Sequence, residues 1–516
     1  MSRHRAARPA ARRAGLAAPQ GLLGLALAAA PALASPALQA QPVPAQPVRP
    51  WAVRSSGMPA TADPHAQSPA HPTPTDRATA NQTTAVQPPI AQSAPRDPFT
   101  AAPTGALMRD DVAGARQIPG YTPPGVDLGS FHLSPSLTLR AEASSNVFNR
   151  SAQGRGDISA TLAPALLATG PVGPARLMVD ARAVLSRYAR LTGYDADTWA
   201  LAARGAMPVG RGLLVALNAA TARRLEPPYE AAGANAANGG VVLVDQVEAG
   251  VEARAELGRT RLTASADLAR AHYLPVVQAG AAPLAQAFRD DRAITATLRV
   301  DRSLGGGRVL FAQGTWRAIR SLHPAAAPAP APDRTARAGE AVVGLKGEAS
   351  RLIMVELAAG YQWRAYRSPA LRDYRALAWR ARAEWYATPL VTFVLASRRD
   401  VVNSPLPAAA GVEVDQLSFK ALYEARRNLN LILSGSHAVE RYRDLGTAGV
   451  GGGAGVGAGS APAIRSDTVG LEAQYAANRH LMLGLSARVR DRRSASSFLP
   501  RQGHAVEGGL WLRFSM

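Results

Sequence analysis

From Phe131 to the carboxyl end, hydrophobic and polar residues alternate with a period of two. Leu177, Val179, Ala181, Ala183 and Leu185 interleave with Arg176, Met178, Asp180, Arg182 and Val184. The rhythm is strongest at Ile353, Val355, Leu357, Ala359, Tyr361 and Trp363, whose other face reads Met354, Glu356, Ala358, Gly360, Gln362 and Arg364. A repeat of 180° per residue puts the two sets on opposite faces of a strand, whereas a helix would need apolar positions three and four apart. About 18 such segments follow one another, among them 132–143, 175–188, 308–321, 352–365, 413–427 and 504–516. The connections alternate in length. Short ones fall at Gly170–Pro174, Val209–Gly210, Gly258, Ser303–Gly307 and Asn428, and long ones at 225–241, 273–289, 322–337, 400–412 and 443–466.

A soluble sandwich has no reason to keep every second loop short, but a transmembrane barrel does. The carboxyl-terminal segment supports this reading. Val506, Gly508, Leu510, Leu512, Phe514 and Met516 share one face, as expected of a final lipid-facing strand. No stretch after Ala34 has eighteen continuous apolar residues, so spanning by helices is excluded, and in lipid a sheet must close on itself. The expected fold is all-β: a transmembrane antiparallel β-barrel of about 18 strands, within a range of 16–18, over residues 129–516.

The amino-terminal end sets the compartment. Arg3, Arg5, Arg8, Arg12 and Arg13 precede an apolar run from Gly21 to Ala34, with Ala32-Leu33-Ala34 suited to cleavage before Ser35. This predicts a signal peptide at 1–34. Residues 35–128 are rich in Pro, Ala, Gln, Thr and Ser without periodicity, and cannot bury enough apolar area to offset their ordering entropy. A disordered periplasmic segment is expected there. The location predicted is the outer membrane of a Gram-negative cell.

The 516 residues contain no Cys, which excludes disulfides, thiolate metal sites, cysteine nucleophiles and a lipoprotein anchor. Lys and Arg total 58 against 37 acidic residues, a formal charge of +21, and only Lys346 and Lys420 are lysines. In a secreted barrel that balance suits phosphate-bearing lipid or acidic polysaccharide, and no nucleic acid is expected as a partner. On the faces expected to point inward, Arg182, Arg254, Arg299, Arg364, Arg380, Arg382, Lys420, Arg426, Arg488, Arg490 and Arg513 face an equal number of acids. Those are Asp180, Glu248, Glu252, Glu256, Asp267, Asp301, Glu356, Glu384, Glu424, Glu472 and Glu507. The lumen is therefore near charge balance. The surplus gathers at outward ends and loops, as at Arg187, Arg190, Arg223, Arg224, Arg317, Arg320, Arg398, Arg399, Arg441, Arg443, Arg492 and Arg493, where guanidinium would suit the phosphates of lipopolysaccharide. Tyr361, Trp363, Trp379 and Trp385 are candidates for an aromatic girdle, Trp363 at the outer interface and Trp385 at the inner.

Signs of catalysis are sparse. The nine His residues form no HExxH or comparable pair, so no metal or cofactor is expected. Gly449-x-Gly451-x-x-Ala454 has no following helical pattern and reads as a flexible loop. His132 and Ser134 share a strand face, but two residues apart along a strand is not by itself a catalytic geometry. The chain is not expected to be an enzyme.

The opening Gly129-Ser-Phe-His-Leu-Ser-Pro-Ser-Leu-Thr-Leu, followed by Asn146-Val147-Phe148-Asn149-Arg150, resembles the entry strand and first loop of the putative beta-barrel porin 2 family. The likeness continues through Pro164, Tyr188 and Tyr194-Asp195 and covers about residues 120–516. It implies an outer-membrane barrel without catalytic residues, a role near exopolysaccharide synthesis and export, and polysaccharide export components as partners. Outer-membrane lipid and the barrel-assembly machinery complete the expected partners. A porin-like channel is the expected function, with a structural or adhesive barrel as the alternative and a barrel enzyme as the third class.

Overall fold

The computed structural model of the chain describes residues 120–149, 154–226, 241–276, 283–323, 332–404, 411–443, 463–494 and 503–516. The signal peptide, most of the Pro/Ala-rich segment, and the Gly449–Ala454 run lie outside them. The first strands are β1 (Val126–Leu128), β2 (Phe131–Ser144), β3 (Asp157–Val172), β4 (Ala175–Tyr188), β5 (Ala196–Val209) and β6 (Leu213–Glu226). β7 (Val242–Leu257), β8 (Thr260–Tyr273), β9 (Asp291–Gly305), β10 (Arg308–Ser321), β11 (Ala336–Ser350) and β12 (Ile353–Tyr366) follow. The last are β13 (Tyr374–Thr388), β14 (Val391–Asn403), β15 (Gly411–Arg426), β16 (Leu429–Arg443), β17 (Ala463–Ala476), β18 (Leu481–Ser494) and β19 (Gly503–Ser515).

Each strand from β2 to β19 pairs antiparallel with its sequence neighbours, and β19 pairs back onto β2 from Glu507↔Ser144 to Ser515↔Ser136. This closes an 18-stranded antiparallel barrel. Turns of two to four residues join the strands at one end, where both termini of the barrel also lie, and longer connections join them at the other. These are called the short-turn end and the long-loop end. Register shifts between Arg308/Val309, Glu348/Ser350, Tyr386/Thr388 and Glu424/Arg426 all fall at the short-turn end, where an extra residue tightens the twist.

Alternation decides which face meets which solvent. Leu217, Leu298, Val343, Leu357, Leu377, Leu485 and Leu510 are all exposed, as a lipid-facing wall requires. Their sequence neighbours point into the lumen. On β9 the outward apolar positions run from Ile294 to Val300, bounded by Arg292 and Arg302. The nine residues between those two arginines fit the roughly 9–11 that a tilted strand needs to cross the hydrocarbon. The strands themselves are 13–16 residues long, so they project beyond it.

β1 differs from the sequence expectation, which placed residues up to 128 in the disordered segment. Val126↔Leu133 and Leu128↔Phe131 pair it with β2. The reason is the seam. β19 ends opposite Ser136, leaving the start of β2 an open edge, and β1 covers it. Gly129, at φ +61°, makes the turn that a side chain would strain.

Candidate functional site

The candidate lumen residues share the strand faces opposite the exposed apolar wall. Along a strand, same-face residues two apart sit close enough to pair. Arg182 bonds Asp180, Arg254 Nη2 lies 3.1 Å from Glu252 Oε1, Arg299 Nε lies 2.9 Å from Asp301 Oδ1, and Arg382 Nε lies 2.7 Å from Glu384 Oε1. Across strands, Arg380 reaches over β12 to Glu340 at 2.5 Å, and Lys346 Nζ is 3.9 Å from Glu356. Glu507 is held between Arg488 at 2.8 Å and Arg490 at 2.9 Å. Lys420 and Glu424 lie inward on β15, and Arg426 is exposed at its short-turn end. The lumen wall is thus a set of paired charges. Many of these pairs set acid against base along or across the strands, but Arg488, Arg490 and Arg492 follow one another on the inward face of β18, and Arg380 stands opposite Arg398.

Two aromatic side chains also turn inward, each over a glycine. A Cβ on Gly344 would stand 2.3 Å from Phe311, and one on Gly484 would stand 2.0 Å from Trp511. Glycine lets each ring lie flat on the wall. Trp511 thereby reaches two strands across and donates its Nε1 hydrogen to Glu472 at 3.2 Å, while Arg299 stacks on Phe311 at 3.8 Å.

The long-loop mouth is narrower than the wall implies. β13 and β14 are paired only as far as Arg380↔Arg398, whereas β14 and β15 stay paired to Asn403↔Gly411. The free end of this hairpin leans over the lumen. Arg364, inward on β12, donates to Asn403 Oδ1 at 2.8 Å and to the Val401 carbonyl at 3.3 Å. Asn403 Nδ2 donates to Asp291 of β9 at 2.9 Å, and Arg334 donates to the Ser404 carbonyl at 2.7 Å. β9 and β14 are not neighbours in the sheet, so the Asn403–Asp291 bond spans the mouth. Beneath it, Val402, Val412, Val414, Tyr442 and Ile464 form a buried apolar cluster on inward faces.

A second segment folds in from the β8–β9 connection. Val276 pairs with Leu284, and Val242, Val244, Ala271 and Tyr273 pack beneath them. Arg289 follows in a short 3-10 turn and makes two bonds to Glu226, at 2.8 and 2.5 Å. Burial alone would favour neutral arginine, but Glu226 and Tyr273 outweigh it and hold Arg289 above its ordinary range. Burial, with the neighbouring Arg289 charge, pushes Arg334 down to about 10. Sequence reasoning missed this constriction. The available signal was a break in the inward face: Val412 and Val414 on β15, and Val242 and Val244 on β7, are apolar where a lumen position should be polar.

The candidate girdle residues all face outward. Trp385 stacks with Phe393 at 5.1 Å near the short-turn end, and Phe393 continues to Phe419 at 6.2 Å. Trp363, toward the long-loop end, lies over Gly339, and Tyr361 is exposed two residues below it. Trp379 sits mid-strand, opposite Ala359, rather than at the level of either strand end. Its Nε1 donates to Ser397 at 3.3 Å and the Arg399 guanidinium covers its ring at 4.0 Å. His132 is bonded to Asp127 through Nδ1 at 2.8 Å, and its Nε2 faces Gly125, where an added Cβ would be only 2.2 Å away. That ring is turned from Ser134.

The arginines of the long-loop rim divide into two groups. Arg224, Arg317, Arg398 and Arg492 point inward, whereas Arg187, Arg223, Arg399, Arg441 and Arg493 point outward and are paired. Arg223 meets Asp245 directly across the strands at 2.7 Å, and Asp415 is shared by Arg399 at 2.5 Å and Arg441 at 2.5 Å.

The loop motif after β2 also has a structural role. Asn149, at φ +48°, closes a tight turn onto Asn146, whose side chain donates to the His504 carbonyl at 3.1 Å across the seam. Phe148 packs on Tyr194 at 4.8 Å, and Asp195 accepts from the Tyr188 amide at 2.7 Å. These residues tie the first two long connections to the barrel rim.

A closed antiparallel barrel with a lipid-facing apolar wall and a charged lumen is an outer-membrane β-barrel of the porin type. The chain belongs to the family described as Putative beta-barrel porin 2, whose model matches residues 118–513. No curated protein sequence matches it. Among solved structures it is similar to the siderophore receptor PirA from Acinetobacter baumannii, with a TM-score of 0.39 and 8% identity over 78% of this chain and 83% of that one. It is also similar to OpdO from Pseudomonas aeruginosa (TM-score 0.40, 12% identity, 74% and 97% covered). A third is the FrpB iron transporter from Neisseria meningitidis (TM-score 0.42, 10% identity, 72% and 63% covered). At such low similarity, none of these proteins' activities passes to this chain.

Proposed function

We propose that the protein is a porin-like channel whose conductance is set at the long-loop mouth. The observation that carries this is the lumen wall. In a barrel of this strand number the middle of the wall, from Asp180–Arg182 to Arg488–Glu507, bears charged side chains. Barrels of 16 to 18 strands commonly leave an aqueous path, and charges are stable on such a wall only if water or each other solvates them. The chain would cross with its long loops outward and its amino-terminal segment in the periplasm. Because acids and bases are paired, weak charge selectivity is expected. The family likeness supports a place near exopolysaccharide export, with polysaccharide as the solute class. No residue is assigned a catalytic role.

Planar-bilayer recording of the full chain tests the channel, alongside surface polysaccharide in a deletion strain. Reproducible open steps with small cation/anion preference are expected. Absence of any steps, with unchanged polysaccharide, would favour the second reading, a structural barrel. The cross-lumen Asn403–Asp291 and Arg334–Ser404 bonds are the observation on that side.

A further inference from the structure

Several outward arginines at the long-loop rim meet carboxylates, while Arg375 on β13 and Arg465 on β17 make no ion pair among the described residues; on β8, β9 and β10 three such arginines stand side by side. There Arg270 stands opposite Arg292, and Arg292 stands opposite Arg320, in direct cross-strand register. All three are exposed. None makes an ion pair or a hydrogen bond among the described residues. Arg337 on β11, opposite Ala318, adds a fourth outward guanidinium on the diagonal from Arg320.

Adjacent strands are about 4.8 Å apart, so this is a row of like charges at near-contact spacing. Like charges directly opposite each other destabilise a sheet, and screening is weakest beside a low-dielectric lipid face. The row therefore calls for an anion. Below it the wall is apolar, with Leu268, Ile294, Leu298 and Trp316 all exposed. A ligand that fills the whole surface needs phosphate at the height of the arginines and acyl chains along the leucines and isoleucine beneath.

We propose that Arg270, Arg292 and Arg320 bind the phosphates of a phosphorylated glycolipid in the outer leaflet, with its acyl chains on the apolar wall below. Guanidinium pairs bidentately with phosphate oxygens, and three in a row can hold more than one phosphate group. The site rests on the orientation given above, with long loops outward. It does not need the channel to be open.

The orientation is read separately. With no native Cys, Ala370→Cys in the β12–β13 connection should be labelled on intact cells by an impermeant maleimide. For the site, the full chain and the triple variant Arg270→Ser/Arg292→Ser/Arg320→Ser are purified in detergent. Each is titrated with bisphosphorylated lipid A, its dephosphorylated form, phosphatidylglycerol and inorganic phosphate. Thermal unfolding and bound glycolipid by mass spectrometry are the readouts. Bisphosphorylated lipid A should stabilise the parent, its dephosphorylated form should do little, and the triple variant should bind about tenfold or more weakly. Arg292→Gln, removing only the central charge, serves if the triple variant does not close, and should show an intermediate loss. Equal response of parent and variants would overturn the site. An equal, arginine-dependent response to phosphatidylglycerol or inorganic phosphate would overturn the glycolipid as its ligand.

Discussion

Two sectors of the long-loop rim use the same residue at the same height to opposite ends. On β14–β16, Arg399 and Arg441 converge on Asp415 and Glu413, and Tyr374 of β13 donates to Glu413 at 2.6 Å. These charges are used internally, and the sector is fastened into the in-turned hairpin that narrows the mouth. On β8–β10, arginine faces arginine with no carboxylate on the same outward row. Nothing among the described residues of that sector pairs with the charge, so it remains available to a ligand. Arginine content alone therefore says little about a rim. Register with acids decides whether the charge holds the wall together or faces outward for binding.

The largest test acts on the hairpin sector. Tyr442 is fully buried in the mouth cluster, and Tyr442→Ala should cost about 3–5 kcal/mol, the range for truncating a large buried aromatic. The barrel should still close. Its β14–β15 connection should become sensitive to protease, and single-channel conductance should rise. Unchanged conductance with a protease-sensitive hairpin would show that the hairpin does not set the bore.

Arg364→Met should act in the same direction but less. It removes the donors to Asn403 and Val401 while keeping much of the stem, at about 1.5–3 kcal/mol for a charged buried bond. Noisier and larger current steps are expected in bilayer recordings.

Asp415→Asn would move the paired sector toward the unpaired one, leaving Glu413 as the remaining carboxylate of Arg399 and Arg441. Arg399 and Arg441 would lose their shared charge for a stability cost of about 1 kcal/mol, given their partial exposure. The variant should retain additional phosphorylated glycolipid through purification, and Arg399→Ser added to it should abolish the gain. No gain would mean that two arginines sharing Glu413 alone do not capture lipid.

The converse change is the smallest. Arg292→Asp places a carboxylate between Arg270 and Arg320, and cross-strand opposite charges contribute roughly 0.2–1 kcal/mol each. Slightly higher thermal stability in lipid-free detergent, together with lost glycolipid, is expected. Lower stability would contradict the like-charge repulsion inferred for the row.

The strands and their faces were legible in the amino-acid order. β4 spans Ala175–Tyr188 and β10 spans Arg308–Ser321, the limits that alternation alone predicts, and the 18-strand count follows from the same rhythm. The reason is physical: each strand separates lipid from lumen, so every second residue reports one of two solvents, and that signal is local. The mouth was not legible in this way. Val412 and Val414 mark a break in the polar inward face, but only the folded barrel brings Tyr442 and Ile464 of β16 and β17 against them. Likewise, nothing near Asn403 in sequence points to Asp291, 112 positions away. The same holds for the arginine row. Arg270, Arg292 and Arg320 are separated by whole strands and loops, and only the pairing register of β8, β9 and β10 sets them side by side. Register is a property of neighbouring strands together, since shifting one strand by a single residue would send its arginine to the other face. Local alternation thus determined the wall, and long-range pairing decided where its charges meet.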